Sequence, residues 1–255
     1  MTLTIRYLED KEKQKIRPLY EAVFEDSKAY VDYLFDGPIY ENEVLVLEQD
    51  EKICSMLQLV PKRMMYNGEV ISIHYIYAVA TDENERRKGY MGMLLEKVFE
   101  DLKERKEPFV YLTPVDTTVY KKHGFRVAYL KSKYIFKEEP KQVRVYHPNT
   151  LDAVILDKFC ARYLPVKYDT YLVHDEAYFT RVFKELELEN GYLIYHPKGE
   201  QINGYTMVAS DGRILDSVFV HQPEEIQLNG YTPWIMIKEL SDDCKVGRMF
   251  INDET

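Results

Sequence analysis

The chain has 255 residues, 45% of them hydrophobic, and a formal net charge of −9. The length suits one large or two small domains, no run of about 18 apolar residues offers a membrane-spanning helix, and the opening MTLTIRYLEDKEKQ lacks a signal-peptide apolar core. The acidic excess sits in residues 151–255, with 10 Lys+Arg against 18 Asp+Glu, whereas residues 1–150 hold 24 against 25; this argues against nucleic-acid binding and leans toward a cationic substrate.

In chain order, LTIRYLED reads as a first strand. DKEKQKIRPLYEAVFED carries Ile16, Leu19, Tyr20, Val23 and Phe24 at helical spacing, and SKAYVDYLFDG is a second short helix with Ser27 as N-cap and Gly37 beyond its end. Three antiparallel strands follow within residues 43–81, turned at QDEK (49–52) and at Asn67-Gly68. A helix over 89–106 would bury Leu94, Leu95, Val98, Phe99 and Leu102. PFVYLTP is wholly apolar, as a central strand should be. DTTVYKKHGF is a short helix capped by Asp116 and closed by Gly124, with His123 expected as an exposed helix-end cation; RVAYLKSKYIFK adds one or two strands. The class is α+β.

EEPKQVRVYHPN (138–149) is a polar connection and divides the chain into domains of 1–140 and 146–255. Beyond it, two helices (TLDAVILDKFCARYL, DEAYFTRVFKELEL) precede a three-strand meander turned at PKGE and SDGR. Two helices and a meander is also the order within residues 10–80, so the second half reads as a degenerate copy of the first. Cys54, Cys160 and Cys244 lack metal-ligand spacing, and no CxxC or HxxxH pair occurs; reduced thiols in a cytoplasmic protein, and no metal, are expected.

Residues 85–102, ERRKGYMGMLLEKVFEDL, place Arg86, Arg87, Lys88 and Gly89 directly before a helix. Three cations oppose the positive end of the helix dipole, an arrangement that an anion would relieve. Glycine lets backbone amides close on a bulky anion, and the flanking cations neutralise it; a pyrophosphate fits best. No GxxxxGK[ST] occurs, and Gly89 and Gly92 alone do not make a Rossmann fingerprint.

Strand, turn and helix together resemble the GNAT superfamily of acetyl-coenzyme A-dependent N-acetyltransferases, whose loop reads Q/R-x-x-G-x-G/A. Met91 stands at its last position, with Gly92 one place late, which looks like the Eis group. VYKKHGF is similar to the Tyr-x-x-x-Gly-Phe/Tyr element of that group, and GYTMVASDGRILDSVFV and PWIMIKEL look like its central domain. The resemblance covers about residues 1–240; Eis enzymes continue into a sterol-carrier-like third domain. It implies a GNAT fold, a mixed sheet flanked by helices, with a second degenerate GNAT-like domain. It implies acetyl-coenzyme A at Val79, Ala80 and Thr81 of the fourth strand and at Arg86, Arg87, Lys88, Gly89, Tyr90, Met91 and Gly92. Tyr120 would be the general acid that protonates the departing thiolate.

The acceptor would be a primary amine: a small polycation, an aminoglycoside-like molecule, or a lysine or peptide amine. The general base stays open among His74, Tyr77, Glu83, Asp116 and the Thr255 carboxylate. Neither a membrane nor nucleic acid is an expected partner, and a homo-oligomer is left open. The alternative is a non-catalytic acyl-coenzyme A sensor.

Overall fold

A computed structural model describes residues 2–251. The elements run β1 (Leu3–Tyr7), α1 (Arg17–Val23), α2 (Lys28–Asp36), β2 (Glu43–Gln49), β3 (Lys52–Tyr66), β4 (Glu69–Thr81), α3 (Tyr90–Glu104), β5 (Phe109–Leu112), α4 (Thr117–Lys121) and β6 (Arg126–Phe136). They continue with β7 (Arg144–Val145), α5 (Thr150–Lys167), β8 (Thr170–Leu172), α6 (Glu176–Leu188), β9 (Tyr192–Lys198), β10 (Gln201–Val208), β11 (Ile214–Phe219), β12 (Ile226–Glu239) and β13 (Met249–Phe250).

Local chemistry explains the boundaries. The Ser27 hydroxyl accepts from the Tyr30 amide at 3.1 Å and starts α2. Asn67 and Gly68 both take positive φ, as do Asp50 and Glu51, so each hairpin closes on a two-residue turn that matches strand twist. The first predicted helix begins later than its apolar spacing suggests: Asp10–Ile16 is a 3-10 turn, and α1 starts at Arg17 with Pro18 in its first turn, where a missing N–H costs nothing.

The larger sheet has the order β1-β2-β3-β4-β5-β12-β6, with β8 against the end of β3 and β13 against β8. The strands β1 to β4 are antiparallel; β4 and β5 are parallel. From α1 and α2, Tyr20, Val31, Leu34 and Phe35 cover one face over Val44, Val46, Met56, Ala78 and Ala80. From α3, Leu94, Leu95, Val98, Phe99 and Leu102 cover the other face over Leu45, Leu47, Leu57 and Leu59, as the helical spacing predicts. The smaller sheet, β11-β10-β9-β7, packs Leu193, Tyr205 and Met207 against Leu156, Phe159, Phe179 and Phe183 of α5 and α6.

Two helices before a meander therefore recur in the second half, with the three-residue β8 between them. The sheets do not divide where the chain does. From the second half, β12 runs antiparallel to both β5 and β6 and fills the space between them, with Met236 opposite Leu112 and Val127. RVAYLKSKYIFK is one strand, β6, because β12 pairs along it from Arg126 to Phe136.

Candidate active site

The site grows out of a defect in β4. Met56 pairs with Ala80 and Gln58 with Tyr77, so Leu57 alone faces both Ala78 and Val79. This is a bulge, and Ala78 takes φ +50° to make it, a conformation that costs a non-glycine residue roughly 1 kcal/mol. Beyond the bulge β4 loses its neighbour. It pairs with β5 only at Tyr75 opposite Tyr111, and β5 ends at Leu112 while β4 continues to Thr81. The strands splay, and the β5-facing edge at Val79, Ala80 and Thr81 is open. The Ala80 side chain points into the α1–α2 core and its carbonyl accepts from Ser55 Oγ at 2.8 Å.

The splay leads to the cationic turn. Asp82 caps the 3-10 turn Glu83–Glu85 by accepting from the Asn84 amide, and pairs with Lys52 at 2.9 Å. Arg87 and Gly89 both sit at positive φ, +68° and +84°, which curls the chain so that Gly89 becomes the N-cap of α3. An added Cβ at Gly89 would meet nothing within 4 Å; the backbone angle, not space, calls for glycine there. The three cations differ. Lys88 is paired with Glu85 at 2.6 Å, Arg86 Nε donates to the Thr81 carbonyl at 3.4 Å, and exposed Arg87 has no partner among the described residues. The first-turn amides of α3 lack intrahelical acceptors, and this curled turn follows directly from the splayed end of β4.

The other predicted residues of this turn do structural work as well. Tyr90 is buried and its hydroxyl donates to Gln49 Oε1 at 3.1 Å; Met91 packs on the core under α3. At Gly92 a Cβ would come within 3.1 Å of His123 Cε1, so this glycine lets α3 approach the turn after α4. His123 is not the exposed cation the sequence suggests. It is half-buried, its Nε2 is buried without a partner, and burial holds its pKa below the ordinary imidazole value.

Tyr120 lies on α4, edge-on to Phe125 at 5.9 Å, and packs against the same core cluster as Val79 and Met91. Its hydroxyl makes no hydrogen bond among the described residues, and burial raises its pKa above the usual phenol value. Gly124 closes the segment at φ +85°, as predicted for a C′ residue.

The candidate bases separate. His74 is held by Glu107, with Nδ1 2.6 Å from its Oε1 and the backbone amide donating to Oε2 at 3.0 Å, and Nε2 lies 3.5 Å from Glu43. It stands five residues before Val79, so it belongs to a structural polar cluster away from the splay. Asp116 spends its carboxylate on capping α4, and the Thr118 amide and hydroxyl lower its pKa. Glu83 is exposed in the 3-10 turn. Thr255 lies outside the described residues.

Tyr77 is placed differently. It precedes the bulge, and its side chain emerges into a cleft between α2 and α6. Two adjoining cavities, about 1000 Å³ and about 310 Å³, share Tyr30, Tyr77, Tyr178 and Glu185 as walls. The smaller is lined by four carboxylates, Asp26, Glu185, Glu189 and Asp216, against Arg213, which itself pairs with Asp211 at 2.6 Å. Burial pushes the Tyr77 phenol up to about 12. Its hydroxyl lies 2.7 Å from that of Tyr20 and 3.2 Å from that of Tyr30. Sequence reasoning missed Tyr20, Tyr30 and Asp26 as site residues; Tyr20 carried only a helix-core signal. Among the described residues no cluster of His, Cys, Asp or Glu could hold a metal, and no helix is long and apolar enough to cross a membrane.

Residues 4–128 match the model of the acetyltransferase (GNAT) domain. A probable N-acyltransferase from Enterococcus faecalis V583 superposes with TM-score 0.70 over 94% of this chain and 73% of that one, at 13% identity. A GCN5-related N-acetyltransferase from Anabaena variabilis gives TM-score 0.68, 94% and 73% coverage and 14% identity. Eis1 from Mycobacterium abscessus gives 0.64, 94% and 74%, at 10% identity. Among curated proteins none matches the sequence. At such identities the likeness is one of fold, and it extends over both halves of the chain. The splayed β4–β5 pair and the curled turn before α3 thus lie within the segment that matches the acetyltransferase (GNAT) domain, and the chain carries an N-acetyltransferase domain of GNAT fold.

Proposed function

We propose that the protein transfers the acetyl group of acetyl-coenzyme A to a primary amine, with the coenzyme held along Val79, Ala80, Thr81 and the segment 86–92, and Tyr120 as general acid. The observation that carries this reading is the open edge of β4, bulged at Ala78, running directly into the curled cationic turn at the N-terminus of α3. The extended edge suits pairing with the amide-bearing pantetheine arm. The turn suits pyrophosphate, mostly through backbone N–H groups, with Arg87 as the cation left unpaired and Lys88 already neutralised by Glu85.

A neutral amine attacks the thioester carbonyl while a strand amide near the bulge polarises the oxygen. The C–N bond forms, the C–S bond breaks, and the Tyr120 hydroxyl protonates the thiolate. A raised phenol pKa keeps that proton in place throughout neutral pH, and the same dry surroundings raise the proton affinity of the thiolate. The carboxylates and phenols of the smaller cavity favour a cationic acceptor: a small polycation, an aminoglycoside-like molecule, or a lysine or peptide amine. We read the whole as an Eis-like tandem, with 1–140 catalytic and 146–255 a degenerate copy that supplies one wall of the acceptor cleft. The test is thiol release from acetyl-coenzyme A in the presence of spermidine, kanamycin, lysine and a short peptide. Coenzyme A binding without thiol release would leave only the sensor reading.

A further inference from the structure

We propose that Tyr77, Tyr20 and Asp26 form a directed proton path that carries protons from the acceptor amine to solvent. This rests on the acetyl-transfer reading above and supplies the base that reading lacks.

The direction follows from counting protons. Each phenol carries one hydrogen. Tyr20 donates its own to Asp26 Oδ2, at 2.5 Å, because a carboxylate only accepts. The 2.7 Å contact between Tyr20 and Tyr77 must then be a donation from Tyr77 to Tyr20. Tyr77 has no hydrogen left to give, so its oxygen meets the cleft as an acceptor. Tyr30, 3.2 Å away, can only donate to it. The chain ends at an exposed carboxylate, which exchanges protons with water, and begins at a tyrosine beside the β4 bulge where the thioester is placed.

Balance is simple. An ammonium entering the cleft gives a proton to the Tyr77 oxygen as Tyr77 passes its own to Tyr20 and Tyr20 passes its own to Asp26. The neutral amine attacks, the C–N bond forms, and the second proton leaves nitrogen by the same route as the C–S bond breaks. Tyr120 gives its proton to sulfur and recovers one from water. The net products are the amide, the thiol and one proton. Burial raises the pKa of all three phenols, so none rests as a phenolate and the hops are concerted, with Asp26 as the base. Tyr20 is fully buried, lines neither cavity and acts through Tyr77; Asp26 lines the smaller cavity and is the outlet of the path.

Charged and titratable groups face this path from both cavities: the larger brings Lys62, Arg63, Arg181, Lys184 and His147 against Glu41, Asp175 and Glu187. Tyr178 and Glu185 come from α6 and Glu189 from its end, held to Ser27 Oγ at 2.7 Å; Arg213 and Asp216 come from the β10–β11 side. In the smaller cavity the carboxylates outnumber the one guanidinium and favour an acceptor that arrives as a cation, which is the form that needs a base.

The test uses the full chain and whichever of spermidine, kanamycin and lysine the wild type acetylates fastest. Asp26→Asn and Tyr20→Phe should each lower kcat at pH 7 by about 10²-fold, the usual worth of a positioned base, with KM for acetyl-coenzyme A unchanged. The deficit should shrink as pH rises toward about 9.5, since more of the amine then arrives neutral. Asp26 is exposed, so Asp26→Asn should melt like wild type and keeps the test valid if Tyr20→Phe folds poorly. Wild-type kcat in Asp26→Asn, or a loss equal at every pH, overturns the path while leaving acetyl transfer standing. A wild type inactive with every acceptor overturns the transfer reading, and this inference falls with it.

Discussion

Two hairpins in this molecule are built alike and leave their sheets differently. In each half a strand pairs antiparallel with the outer strand of a meander, β1 on β2 and β7 on β9, and two helices are inserted between them in the chain. The last meander strand of the first half, β4, is bulged at Ala78 and runs into Arg86, Arg87, Lys88, Gly89 and a 15-residue helix. Its counterpart β11 runs through VHQPEE (220–225) into β12, which crosses to the first half. One exit presents free amides and cations; the other presents Glu224 and Glu225 and spends its chain on completing the sheet of its neighbour. The second half carries no such turn at this exit and instead completes the sheet of the first.

The largest effect should come from breaking that dependence. In the whole chain β12 separates β5 from β6 and pairs with both. Residues 1–140 alone would expose two unpaired edges and bare the buried Phe109, Val110, Tyr111 and Leu112. Such a fragment should show no cooperative thermal transition by circular dichroism. A soluble, cooperatively melting fragment would mean that β12 is an ornament and that the halves are independent.

Tyr120→Phe asks whether the chemistry belongs to the first half alone. The ring and its contact with Phe125 stay, so the fold and coenzyme A affinity should persist. The kcat should fall by about 10²-fold, more than KM changes, because the proton is needed only as the thiolate leaves. A variant within about threefold of wild type, when chemistry limits the rate, would assign protonation to water or another group.

The cationic turn before α3 tests the comparison at its point of divergence. Arg86→Glu with Arg87→Glu should weaken coenzyme A by about 10-fold or more, and added salt should weaken the wild type in the same direction. Calorimetry should give one coenzyme A per chain. Glu224→Lys removes a repulsive charge at the other exit but adds no helix N-terminus, so the stoichiometry should remain one. A second equivalent would show that a cation suffices and the curled turn does not matter.

What could be read in the sequence was local. Ser27, Asp116 and Gly124 announce helix ends because caps act over three residues, and Asn67-Gly68 fixes a hairpin by its own angles. The cationic turn stood out because its charges oppose the adjacent helix dipole. The rest depends on pairing between distant residues. The bulge is one residue in an alternation that reads smoothly through YIYAVAT, and only the partner Leu57 reveals it. PWIMIKEL has the alternation of a strand but says nothing of which sheet it joins. Tyr20 and Tyr77 are 57 positions apart and each has an ordinary core reading; only the fold brings their hydroxyls to 2.7 Å. His74 drew notice as an ionisable strand residue, while its partner Glu107 is 33 positions away.

The smallest effect contrasts one histidine from each half. His123 packs on Gly92 beside the cationic turn; burial chiefly, and Lys122 next, hold its pKa below the ordinary 6.5, with Glu96 opposing. His196 sits in the second sheet, 2.7 Å from Thr206 Oγ1, and burial depresses it too, with Glu225 opposing. In both cases the folded chain binds the proton less well than the unfolded chain. Each therefore contributes stability that is present above about pH 6.5 and is lost as pH falls through the folded value. Thermal melts should give a Tm that drops as pH is lowered from about 7.5 to about 5. His123→Gln removes one of the two contributions, so its Tm should start lower and fall less steeply, whatever the substitution costs in packing. His196 still titrates in that variant, so some slope should remain. An unchanged slope would mean that His123 takes up its proton in the folded state, turning toward solvent rather than packing on Gly92. The contact between α3 and the turn after α4 would then be looser than the geometry at Gly92 requires.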